Sequence, residues 1–235
     1  MTTLKGKPMS SGYAEGIAWS WVPPPAHDWS RADISPTEVS GELRRFRESL
    51  AKTATELELL RERTSFEIGV DQAAIFGVQL AILGDAQFIK GVEDHIVGND
   101  KSAEHALISF VEDWIEGAAA VTDERRREQA LDMRDLAQRL MWHLSGRSGD
   151  HPMIPPEKSI LVTDELSPSE VMQLDQSRII AAVTEWGGPS GHASILLRSL
   201  GIPAVTGVTG IRDRIHHGQS VWVNGESGTV IIDPN

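Results

Sequence analysis

The sequence has no cysteine. That excludes disulfide bonds, thiolate nucleophiles and Cys-ligated zinc, and it suits a reducing compartment. Basic residues are scarce as well: 22 Lys and Arg stand against 34 Asp and Glu, for a net charge of −12. Nucleic acid and anionic membrane surfaces need clustered Lys and Arg to neutralise phosphates, so neither is expected as a partner, whereas a basic protein would fit. No apolar stretch approaches the length of a membrane span. The opening Met1-Thr2-Thr3-Leu4-Lys5-Gly6 lacks the apolar run of a signal peptide, so a cytoplasmic protein is expected. A Gly-rich loop ending in Lys-Ser or Lys-Thr is missing, which leaves direct nucleoside triphosphate binding without a motif. His216 and His217 are adjacent without a carboxylate cluster at ligand spacing, so a solvated turn is expected there and no metal.

What is present belongs to a folded globular chain, with 40% hydrophobic and 24% charged residues over 235 positions. Two compositions alternate along it. From about Ile34 to Gly146 the sequence reads as helix. Ser35-Pro36-Thr37-Glu38 forms a capping box with proline at the first helical position, and Val39, Leu43, Phe46, Leu50, Leu57 and Leu60 follow at helical spacing. A second stripe, Ala73 to Leu83, breaks at Gly84-Asp85 and resumes through Phe88, Ile89, Val92 and Ile96, as a kinked helix would. Ala106, Phe110, Trp114 and Ala118 carry a third stripe. Met133, Ala137, Leu140, Met141 and Leu144 carry a fourth, which Gly146 stops. Four amphipathic helices predict a bundle.

Beyond the Pro-rich link around His151 to Pro156 the period shortens. Ser159–Thr163 and Arg178–Val183 have strand length, and Ser167-Pro168-Ser169-Glu170 is a second capping box between them. A Gly-rich turn, a helix from about His192 to Ser199 and strands near Pro203–Thr206, Val221–Val223 and Thr229–Ile232 complete an α/β pattern. Gly16 to Trp19 also reads as a strand and could join this sheet, making the bundle an insertion. The expected fold is an α/β domain over 1–30 and 148–235 with an inserted all-α four-helix bundle over 31–147.

The segment Trp186-Gly187-Gly188-Pro189-Ser190-Gly191-His192-Ala193-Ser194 combines three glycines with a histidine at a helix start. Such glycines let the backbone approach a bulky group, and unpaired N–H groups with the positive end of the helix dipole suit an anion. A neutral imidazole is nucleophilic near pH 7 and can also leave, which is what reversible phosphoryl carriage requires. Ser190, Ser194 and nearby backbone N–H groups are candidate donors to phosphoryl oxygens. The alternative is a histidine that merely caps a helix after a glycine turn, and spacing does not separate the two.

Gly187-Gly188, His192, Ser194-Ile195 and Arg198-Ser199-Leu200-Gly201-Ile202-Pro203-Ala204-Val205 closely resemble the active-site signature of Enzyme I of the bacterial sugar phosphotransferase system. They are also similar to the swivelling phosphohistidine domains of phosphoenolpyruvate synthase and pyruvate phosphate dikinase. Leu4-Lys5-Gly6, Ser11-Gly12 and Gly16 resemble the Enzyme I opening. Ala74-Ile75-Phe76 with Leu83 and Asp85, and Asp132-Met133-Arg134-Asp135 with Arg139-Leu140, resemble its helical insert.

The resemblance implies that His192 carries the phosphoryl group, supported by Ser167, Gly188, Ser190, Gly191 and Ser194, with the Ser167 hydroxyl orienting the histidine or simply capping its helix. It implies that Ile75, Phe76, Gln79, Leu83, Asp85, Gln129 and Arg134 face a histidine phosphocarrier protein. It places phosphoenolpyruvate and magnesium in a C-terminal barrel outside this chain, so that the isolated chain would be a monomer without a cofactor of its own, unable to use phosphoenolpyruvate unaided.

Departures accompany the likeness. Gly191 stands where the family has serine, Pro189 where it often has arginine, and Gln79, Gly84 and Gln129 where it often has histidine, glutamate and arginine. A swivelling domain of another phosphoenolpyruvate-utilising enzyme, or a regulatory relative that binds without carrying phosphate, are the alternatives these departures leave open.

Overall fold

The computed structural model describes residues 1–21, 33–119, 124–146 and 155–234. The chain forms two compact units, Met1–Pro24 with Asp150–Asn235, and Pro25–Gly149. The boundaries expected at 30/31 and 147/148, and most of the Pro-rich link, lie outside the described residues.

The first unit is built on one eight-stranded sheet in the order β1-β8-β7-β3-β4-β5-β6-β2. The strands are β1 (Thr2–Lys5), β2 (Lys7–Ser10), β3 (Tyr13–Ser20), β4 (Ser159–Thr163), β5 (Ile179–Thr184), β6 (Ala204–Thr206), β7 (Ser220–Asn224) and β8 (Thr229–Ile232). Strands β3 to β6 run parallel, and β7, β8, β1 and β2 pair antiparallel to their neighbours. The continuous apolar runs of β4 and β5 follow from this: central parallel strands are covered on both faces, and every residue of β4 is buried. Val162, Val183, Val205, Val221, Val223 and Val230 meet in the core on one face.

Helices α6 (Pro168–Gln173), α7 (His192–Ser199) and α8 (Ile211–Arg214) follow β4, β5 and β6 in turn. Their N-termini therefore start at the carboxyl edge of the parallel strands, where ligands of open α/β sheets gather. His216 and His217 are exposed in the turn before β7. Strands β1 and β2 had no sequence signal. Each is four residues long, at a sheet edge, and β2 contains Pro8, which an edge tolerates.

The second unit holds α1 (Val39–Glu67), α2 (Val70–Leu83), α3 (Ala86–Asn99), α4 (Ala103–Ala119) and α5 (Glu124–Leu144). The expected kinked helix is the pair α2 and α3, bent by 50°. Its break is chemically specified: the Asp85 carboxylate accepts from the N–H groups of Gln87 (2.6 Å) and Phe88 (3.3 Å) and restarts the helix as its N-cap. The box at Ser35 forms only in half. Glu38 accepts from the Ser35 N–H at 2.9 Å, while the Ser35 hydroxyl turns to the Glu38 carboxylate instead of an amide, and α1 begins at Val39. No single described helix is long and apolar enough to cross a membrane.

Candidate active site

His192 is the first residue of α7, half-buried, behind an extended Gly191 that offers no side-chain cap. The first intrahelical bond runs from Ile195 N–H to Gly191 C=O, and the N–H groups of Ala193 and Ser194 donate to no backbone carbonyl. These are the orphan donors of a helix start.

Most carbonyls of the loop before it accept hydrogen bonds from within the protein. Thr206 donates to the carbonyls of Trp186 and Gly187, both at 3.1 Å. Gly191 N–H donates to Gly188 C=O at 3.2 Å. Ser194 donates to Pro189 C=O (2.7 Å) and Gly191 C=O (2.6 Å), and Arg198 Nη1 to Pro189 C=O (2.7 Å) and Met9 C=O (3.0 Å). Five carbonyls of the loop are thereby engaged internally, which reduces the lone-pair density that would repel an anion beside His192. Gly187 sits at φ +120°, open to glycine and strained for other residues.

Ser167 and His192 lie after neighbouring parallel strands, β4 and β5, and α6 packs against α7. The two loops are joined by Trp186 N–H donating to Asp164 C=O at 2.7 Å. Asp164 in turn pairs through its carboxylate with Arg212 Nε of α8 at 2.5 Å. The capping box of α6 is complete: Ser167 Oγ accepts from Glu170 N–H (3.2 Å) and Glu170 accepts from Ser167 N–H (2.7 Å). Ser167 Oγ still has a proton to donate. Ser190 is exposed and Gly188 half-buried beside the histidine turn.

One expectation here is corrected. The Ser194 side chain is wholly buried and its hydroxyl proton serves the carbonyls of Pro189 and Gly191, so the hydroxyl braces the loop and is no donor to a phosphoryl oxygen. Pro189 leaves the loop anchored, because its carbonyl is held by both Ser194 and Arg198.

The helical unit corrects a second expectation. Ile75, Phe76, Gln79 and Leu83 do not face outward: all four are buried, and the Gln79 amide donates to Asp135 Oδ2 at 3.0 Å. They lie on the core side of α2. Asp85, Gln129 and Arg134 are exposed. Among the described residues the exposed large apolar side chains of this unit are others: Leu59 and Phe66 (93% exposed) on α1, Val70 (74%) and Val78 on α2, and Val97 on α3.

Sequence reading also missed a buried charged cluster. Glu56 of α1 pairs with Arg139, and its other oxygen lies 2.9 Å from His143 Nε2. Arg139 Nε is 4.0 Å from Asp135 Oδ1. Burial pushes the Glu56 carboxyl up, but the hydrogen bond from His143 and the charges of Arg139 and His143 outweigh it and hold the group below the ordinary carboxylate range. The spacing of Asp135, Arg139 and His143, one per helical turn on α5, was the signal. Among the described residues no group of three or more His, Asp or Glu could hold a metal ion.

The family described as PEP-utilising enzyme, N-terminal, matches residues 5–129, and PEP-utilising enzyme, mobile domain, matches residues 155–228. Phosphoenolpyruvate-protein phosphotransferase of Enterococcus faecalis is 35% identical over 232 residues, 98% of this chain and 40% of that protein. That of Priestia megaterium is 35% identical over 201 residues, 86% of this chain and 35% of that protein. The chain thus spans about two fifths or less of these relatives. A solution NMR structure of Enzyme I superposes with a TM-score of 0.74 at 30% identity, covering 99% of this chain and 93% of the other. The N-terminal domain of Enzyme 1 - Nitrogen superposes at 0.64 and 28%, covering 99% and 94%. With both halves matched in order and the whole chain superposed, the protein belongs to the PEP-utilising enzymes and corresponds to the N-terminal part of Enzyme I, phosphoenolpyruvate-protein phosphotransferase.

Proposed function

We propose that the chain carries a phosphoryl group on His192 between phosphoenolpyruvate chemistry, conducted in the part of such proteins that this chain does not span, and a histidine phosphocarrier protein. The observation that carries the reading is the loop 186–191: the carbonyls of Trp186, Gly187, Gly188, Pro189 and Gly191 accept hydrogen bonds from within the protein while the helix-start N–H groups of Ala193 and Ser194 stay without backbone acceptors next to an imidazole. In the transfer, one ring nitrogen of neutral His192 attacks phosphorus in line as the bond to the carrier's imidazole breaks. The reverse step returns the group. Little covalent work is left to the protein, so alignment and N–H donors are its contribution. Ser167, with one hydroxyl proton to donate at the neighbouring loop, is a candidate to orient His192. Magnesium belongs with the phosphoenolpyruvate step.

The carrier docks on the helical unit through the exposed α1–α2 side, with Phe66, Val70 and Val78 as apolar contacts and Asp71 and Asp85 as anionic ones. A protein of net charge −12 suits a basic partner face.

The test is intact-mass analysis at alkaline pH after mixing with phosphorylated histidine phosphocarrier. One added phosphoryl group, absent in His192→Ala, is expected. No added mass with any carrier would refute carriage and favour a regulatory relative. Val70→Glu is expected to weaken carrier binding, and an unchanged affinity would remove the docking surface from this side.

A further inference from the structure

Below the histidine loop lies a hydroxyl pair that phosphoryl carriage does not itself require. Thr184 ends β5 and Thr206 ends β6, and both are wholly buried. Thr206 has one proton, already shared between the carbonyls of Trp186 and Gly187. The 2.9 Å contact between the two hydroxyl oxygens must therefore be donated by Thr184. The result is a directed chain, Thr184 to Thr206 to two loop carbonyls, in which each buried member depends on the next.

The backbone rests closely on this chain. A Cβ built on Gly187 would sit 3.5 Å from Thr206 Oγ1, in ordinary contact, while the φ of +120° is what reserves the position for glycine. Trp186 is tied at both ends of its main chain, by its N–H to Asp164 and by its C=O to Thr206, although its indole is 63% exposed. Beyond it the carbonyls of Pro189 and Gly191 are already held from α7. Thr206 is thus the support at the strand end of the loop, as Ser194 and Arg198 are at the helix end. Valine would fill the same volume and suit the end of a strand, so packing alone does not call for a hydroxyl.

We propose that Thr206, oriented by Thr184, is a positioning residue for His192: it fixes the peptide planes of Trp186 and Gly187 and so the point from which α7 and its histidine start. The proposal rests on the reading of His192 as the phosphoryl carrier. The experiment compares Thr206→Val, Thr206→Ser and Thr184→Val in the full chain. Phosphoryl exchange with phosphorylated histidine phosphocarrier is followed alongside carrier affinity and the ¹⁵N resonances of the His192 ring across pH.

Thr206→Val is expected to slow exchange about tenfold, the worth of one buried hydrogen bond, with carrier affinity unchanged. It is expected to shift the His192 titration, with Thr206→Ser restoring both and Thr184→Val falling between. A Thr206→Val chain with unaltered exchange and titration would overturn the proposal, as would a loss that serine does not restore. If His192 of the unaltered chain takes no phosphoryl group, carriage itself is refuted, and the ring titration alone then decides whether Thr206 positions the histidine.

Discussion

Arg139→Met should be the most damaging single change in the helical unit short of a core deletion. The Arg139 side chain is 8% exposed and lies against Glu56, with the 3%-exposed Asp135 one turn away. Methionine refills most of the volume, so the cavity contribution is small. What changes is charge: two carboxylates remain inside the bundle, with Gln79 bonding one and His143 the other. Removing one partner of a buried ion pair costs about 3–5 kcal/mol, and the partial exposure of Glu56 places this case near the lower end, about 3 kcal/mol. For a unit of roughly 125 residues that corresponds to a midpoint lowered by about 12 °C.

Far-UV circular dichroism reports the transition, because this unit holds five of the eight described helices. The double variant Glu56→Gln with Arg139→Met should recover much of the loss, since a buried pair replaced by neutral groups is close to neutral in stability. A double-mutant cycle isolates the coupling. A loss under about 1 kcal/mol for Arg139→Met, or a double variant no more stable than the single one, would refute this account of the cluster.

The same cluster sets an acid limit. Glu56 is held below its ordinary value, so its contribution is complete above the unfolded carboxylate pKa of about 4 and is lost as pH falls through the lower folded value. Unfolding midpoints of the helical unit should decline more steeply in that window for the wild type than for Glu56→Gln, and parallel declines would count against it. At the histidine loop, Gly191 has φ −65° and ψ 160°, which any residue adopts, and an added Cβ would meet Gly188 O at 3.4 Å. Gly191→Ser should therefore fold normally, cap α7 and gain a few tenths of a kcal/mol, with phosphoryl exchange at least as fast as before. Slower exchange or a lower midpoint, by mass spectrometry and thermal denaturation, would show that the glycine is required.

The elements that read clearly in the sequence are those whose period is enforced by burial. β4 has an apolar centre, Ile160 to Val162, and is buried throughout because both faces are covered, and α7 runs from His192 to Ser199 because a glycine turn precedes it and its stripe of Ala193, Leu196 and Leu197 faces the sheet unit's interior. Edge strands β1 and β2 left no such mark, since pairing on one side constrains backbone more than side chains. The site read less well, and for one reason in both units: a residue in a recognisable motif says nothing about which way it turns. Ile75, Phe76, Gln79 and Leu83 resemble a docking surface in sequence, yet all four are buried, and Gln79 bonds the buried Asp135. Ser194 resembles a phosphoryl ligand, yet it ties down two carbonyls of the loop it follows. In each case the motif residue holds the shape that presents its neighbours, so losing one should first be felt as altered geometry or stability, and only through that as altered binding or transfer.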